Sequence, residues 1–136
     1  MATNQNLIDR ALGKLGIVEA GESANATDSA TALDILNDML MEWAQKDLDL
    51  NWFTQDTLGD TAPLPKWAVK GVIANLAVAC ATDFRSPIPN DLAVEARQGK
   101  RTIGNTLINL ALEGADMSHL PQGQGIAGRY DINTDN

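Results

Sequence analysis

Three carboxylates, Asp34, Asp38 and Glu42, recur at i, i+4 and i+8 in a stretch whose apolar residues have helical spacing. A pair of carboxylates is what a glycosidase uses, one as acid and the other as base or nucleophile. Side chains one helical turn apart lie about 5 to 6 Å from each other at Cβ, so any acidic helix face meets that distance without being a catalyst. His119 is the only histidine, which excludes a two-histidine metal site within this chain. It falls in a segment without helical period, where nothing would hold a general base in place. Cys80, the only cysteine, sits in an apolar run with no neighbour that would lower its pKa, and reads as a small buried hydrophobe. It can form no internal disulfide. There is no phosphate-binding GxxxxGK loop, no GxGxxG after a strand, no HExxH helix and no GxSxG elbow. An enzyme is not expected, and neither a cofactor nor a metal is implied.

The elements that carry these residues follow from apolar spacing. Leu7, Ile8, Ala11, Leu12 and Leu15 share one face of a helix expected over Asn4 to Leu15, which Gly16 stops. Thr27 or Asp28 caps a second helix running to about Gln45, with Leu33, Leu36, Leu40 and Trp43 as its stripe. Trp43 is expected in the core. The segment from Asp47 to Trp67 is irregular: LDLNWF is a candidate short strand and GDTAPLP has turn chemistry. A third helix starts near Pro65 and runs to about Phe84. It is apolar on nearly every side and belongs at the centre of a bundle. Asn90 or Asp91 caps a fourth, running to about Leu112, with Leu92, Ala96, Ile103, Leu107 and Leu110 on the inward face. Gly99 and Gly104 each cost that helix about 1 kcal/mol relative to alanine, and close contact with another backbone is one explanation.

From Gly114 onward the composition turns to glycine and polar residues without a helical period, as in a chain that stays disordered when free. The expected fold class is therefore all-α: a four-helix bundle-like domain over residues 1–113 with an extended, irregular C-terminal arm over 114–136. Leu120, Ile126, Tyr130 and Ile132 are spaced apolar side chains in that arm, and Arg129 adds a charge. They have the look of anchors for a partner's groove, although sparse apolar residues also occur in inert tails.

The 136 residues carry 18 acidic and 10 basic side chains, a formal charge of -8, which argues against a protein that grips DNA by neutralising phosphates. Ten acidic residues and one basic residue, Lys46, lie between Glu19 and Asp60, so one surface is strongly acidic. A solvated, solubility-promoting face accounts for it without any further role. The first residues, MATNQNLIDRAL, lack the pattern of a signal peptide, and the longest apolar stretch, Trp67 to Ala81, falls short of the roughly 20 residues a membrane span needs. Neither export nor a membrane partner is expected.

LIDRALGKLGI at Leu7 to Ile17, LDILNDMLMEWAQKDLDL at Leu33 to Leu50, VIANLAVACATDF at Val72 to Phe84 and EARQGKRTIGNTL at Glu95 to Leu107 together resemble the head-to-tail adaptors of short-tailed bacteriophages, also called tail accessory factors or packaged-DNA stabilisation proteins. The most specific element is a helix ending in Met-Glu-Trp at Met41 to Trp43, followed by a short acidic loop and an apolar segment. The resemblance implies a structural virion protein of the head-tail junction, made in the host cytoplasm. Such proteins form a ring, usually of twelve copies, beneath the portal; they extend the DNA channel, retain packaged DNA and support later tail proteins such as the nozzle. DNA passes through without sequence-specific binding. The family's C-terminal region grips the portal, which assigns that contact to Leu120, Ile126, Arg129, Tyr130 and Ile132. An arm of about 23 residues is short for the family. Other readings are a head-completion connector of a long-tailed phage, a small acidic regulator or DNA mimic, and a cell-wall hydrolase acting with the tail.

Overall fold

The computed structural model describes residues 2–114 and contains four α-helices, with no strand among the described residues. The chain divides into two compact units, Met1–Thr106 and Leu107–Asn136. In the first, α1 (Asn4–Lys14), α2 (Ala26–Gln45) and α3 (Lys66–Asp83) pack pairwise on one another, and the part of α4 (Asn90–Gly114) that belongs to it crosses α3 at Gly99.

The Thr3 side chain caps α1 by accepting from the Asn6 N–H at 3.1 Å, and Leu7, Ile8, Ala11 and Leu12 are fully buried. The helix ends one residue before the expected Leu15, which is its C-cap and only half-buried; Gly16, at φ 77°, then turns the chain. The N-cap of α2 is Asn25, not Thr27 or Asp28: its side chain accepts from the Asp28 N–H at 2.8 Å. Ala32, Leu33, Leu36, Leu40 and Trp43 form the buried stripe of α2, and Asp34, Asp38 and Glu42 are exposed opposite it.

Pro65 precedes α3 with extended backbone, outside its first turn. Ala68, Val72, Ile73, Ala74, Leu76, Ala77, Cys80 and Ala81 are buried, which makes α3 the central helix, as its composition requires. In α4, Leu92, Ala96 and Ile103 face inward, but the inward face ends there. Leu107 is half-buried and Leu110 exposed, against expectation. Helical period assigns side chains to a common face; it does not supply a neighbour to cover that face.

LDLNWF is not a strand. Positive φ at Asp47 (66°) and Asn51 (60°) breaks the extended run at both places, and the only bridge outside the helices joins Thr3 to Thr61 among the described residues. The first turn of α1 takes up the stretch that follows it: the Asn4 and Gln5 N–H groups donate to the Asp60 and Leu58 carbonyls, each at 2.9 Å. Those donors lack partners inside their own helix, so the loop satisfies them.

Candidate functional site

The residues expected to hold a partner, Leu120, Ile126, Arg129, Tyr130 and Ile132, lie outside the described residues, as does His119. The described residues adjoining them are the end of α4, in the second unit. There Ile108, Leu110 and Leu112 are 59%, 46% and 54% exposed. Ile108 and Leu112, one helical turn apart, share a face and form a small exposed apolar surface, while Leu110 points away from them.

The residues with potential chemistry are not brought together. Asp34, Asp38 and Glu42 stand in solvent, and Glu42 pairs with Lys46 at 3.1 Å on its own helix. Cys80 is fully buried, and that burial, followed by the charge of Asp83, pushes its thiol pKa from 9.0 up to about 12. A thiol so protonated is no nucleophile at neutral pH. Among the described residues no group of three or more His, Cys, Asp or Glu is arranged to hold a metal ion, and no helix is long and apolar enough to cross a membrane.

A buried polar cluster, not anticipated from the residues, fixes the irregular segment between α2 and α3. Asn37 Oδ1 accepts from Trp52 Nε1 at 3.0 Å and from the Gln55 N–H at 2.9 Å, while Asn37 Nδ2 donates to the Gln55 carbonyl at 2.9 Å. Asn4 Nδ2 donates to Gln55 Oε1 at 3.0 Å and to the Thr57 carbonyl at 2.9 Å. These bonds do for the loop what strand pairing would otherwise do, since buried backbone groups need partners. The signal that would have found Asn37 is its position: it lies next to Leu36 and one turn from Leu33 and Leu40, a polar residue inside an apolar stripe.

Ties from α4 complete the first unit. Lys14 Nζ of α1 lies 3.2 Å from Glu95 Oε1, and Asn75 Nδ2 of α3 donates to the Ala96 carbonyl at 2.9 Å. Trp43, 4% exposed, has Lys100 Nζ 5.4 Å from its ring centroid. The first unit thus consists of a packed helical body with no assembled catalytic group among the described residues. The family model of the P22 tail accessory factor matches residues 1–135. The chain belongs to that family. This tail accessory factor is accordingly a structural phage tail protein, a virion component that interacts with other virion proteins, and its family is not known as one of enzymes. No curated protein matches the chain.

Proposed function

We propose that this tail accessory factor is a head-to-tail adaptor: copies of it form a ring, usually of twelve, under the portal, extend the DNA channel, retain the packaged genome and support attachment of the nozzle or other tail proteins. Residues 1–113 act as the helical adaptor domain and residues 114–136 as the arm that grips the portal. The observation that carries this reading is the end of α4: Ile108 and Leu112, one turn apart, are exposed directly before the arm, so a partner that takes Leu120, Ile126, Tyr130 and Ile132 has a further apolar contact at hand on the helix. Burying such side chains contributes roughly 1.5 to 3 kcal/mol each before ordering costs. Arg129 adds a charge-assisted contact to a carboxylate of the portal.

The acidic composition suits a DNA conduit. Negative walls repel phosphates and let the polymer slide, whereas basic walls would hold it. An arm that orders only on its partner suits staged assembly, because the entropy of fixing it is lost only when the portal is present. The test is to mix the full chain, and a chain ending at Glu113, with the portal ring of its own phage and to weigh the complexes. The full chain is expected to bind stoichiometrically as a ring. The truncated chain is expected to melt at nearly the same temperature yet lose most of its affinity. Equal affinity of the two would make the arm an inert extension, and absence of a complex with the full chain would overturn the adaptor reading.

A further inference from the structure

A second surface of the first unit is basic. Arg10 of α1, Lys66 and Lys70 of α3, Leu64 and Val69 line one open cleft at the start of α3, and no carboxylate is among its lining residues. All three cations are exposed, and none has an ion-pair partner among the described residues, where the salt bridges are Lys14–Glu95 and Lys46–Glu42. Arg10 also borders a neighbouring cleft that includes Asp9, Glu19 and Glu22, and Lys70 one that includes Glu95, already paired with Lys14, so Lys66 and Lys70 set the character of this one. They stand one helical turn apart, about 6 Å along the axis.

The exposed face of α2 has the matching pattern. Asp34 and Asp38 are one turn apart, neither is paired among the described residues, and Met41, 46% exposed, falls three residues further on the same face. Two carboxylates at i and i+4 followed by an apolar side chain complement two ammonium groups at i and i+4 beside an apolar floor of Leu64 and Val69.

We propose that the Lys66–Lys70 cleft of one copy receives the Asp34–Asp38–Met41 face of α2 from a second copy. The two surfaces differ, so the contact is head-to-tail and leaves a free cleft at one end and a free acidic face at the other; such a contact propagates, and closes into a ring where its rotation permits. This rests on the ring of the proposed function and names the surfaces that build it. Isolated surface ion pairs are weak and screened by salt, so single contacts form poorly and gain strength when a scaffold aligns the copies.

Mixed ¹⁴N and ¹⁵N full-length chains, assembled on the portal ring and treated with a zero-length carbodiimide, would show the contact by mass spectrometry. The expected products join Lys66 or Lys70 of one isotope to Asp34 or Asp38 of the other. The variant K66E/K70E is expected to lose at least tenfold in ring assembly, and adding D34K/D38K in the same chain to restore it, with circular dichroism of each variant unchanged. A ring that forms without these products, or assembles undiminished from K66E/K70E, overturns this contact and leaves the ring intact. Products joining the lysines to portal carboxylates overturn it in favour of a portal-facing cleft. Single copies on the portal, with no product between copies, would overturn the ring itself and this contact with it.

Discussion

Gly99 of α4 rests on Gly71 of α3 so closely that a Cβ placed on Gly99 would stand 2.7 Å from the Gly71 Cα, and one on Gly71 would stand 2.8 Å from Ile103 Cδ1 and 3.0 Å from the Gly99 carbonyl oxygen. The two glycines are what lets α4 reach the central helix. Their helix-weakening entropy is offset by backbone approach and by the Asn75 bond to Ala96 beside it.

Gly99→Ala is therefore expected to destabilise the fold by about 1 to 3 kcal/mol through overpacking, despite alanine's better helix propensity. Gly104 supplies the control, since a Cβ there meets only the Leu48 Cδ2 at 3.4 Å, the end of a flexible side chain. Gly104→Ala is expected to be neutral or slightly stabilising. Urea unfolding of both variants checks the contrast; equal effects would mean that the crossing tolerates a methyl group.

Asn37→Ala removes the acceptor of the Trp52 and Gln55 N–H groups and the donor to the Gln55 carbonyl. Each buried group left without a partner costs about 1 to 3 kcal/mol. The loss is expected to appear both as a lower melting temperature and as faster proteolytic cutting within residues 46–65, because that loop depends on side-chain partners for its backbone. Cutting at an unchanged rate would show that α1 alone holds the loop.

Trp43→Ala is expected to cost about 3 to 5 kcal/mol, as for any large side chain removed from a core. Lys100→Ala, which removes only the cation beside the ring, is expected to cost about 0.5 to 1 kcal/mol. A Trp43→Ala variant with unchanged melting temperature and lost assembly would place Trp43 at an interface instead.

Cys80 gives a pH dependence of definite sign. Its thiol titrates near 9.0 when unfolded and at about 12 in the fold, so between those values the unfolded chain has lost a proton that the folded chain keeps. Stability from this group is then fully present below pH 9 and falls as pH rises toward 12, with a slope of at most about 1.4 kcal/mol per pH unit. Comparing wild type with Cys80→Ala isolates it from the lysines: the wild-type curve is expected to fall more steeply above pH 9. Parallel curves would indicate a thiol that ionises inside the fold. Thiol reagents at pH 8 are expected to modify Cys80 only at the rate of unfolding.

The free chain is expected to be monomeric, since its charge of -8 opposes self-association. Sedimentation velocity at micromolar concentration checks this, and stable dodecamers without a partner would contradict it.

Much of this fold is legible in the chain itself. The 3.6-residue spacing of Leu33, Leu36, Leu40 and Trp43, the largely apolar run of α3 and the glycine after α1 are local properties, because a helix satisfies its hydrogen bonds within its own segment and needs only one apolar face to declare its orientation. Even the acidic face of α2 and the protonated character of Cys80 follow from such local reading. Tertiary structure alone decided the rest, and in each case the deciding partner is distant along the chain. LDLNWF has strand-like composition, but a strand exists only if another pairs with it; here Asn37 holds the Trp52 side chain and the Gln55 backbone, the first turn of α1 holds Leu58 and Asp60 further on, and the segment lies in a pinned loop. Gly99 and Gly104 look alike in sequence, yet only Gly99 meets a backbone. Leu107 and Leu110 share the face of Ile103 by period, but burial depends on whether another element lies opposite, which period alone does not supply.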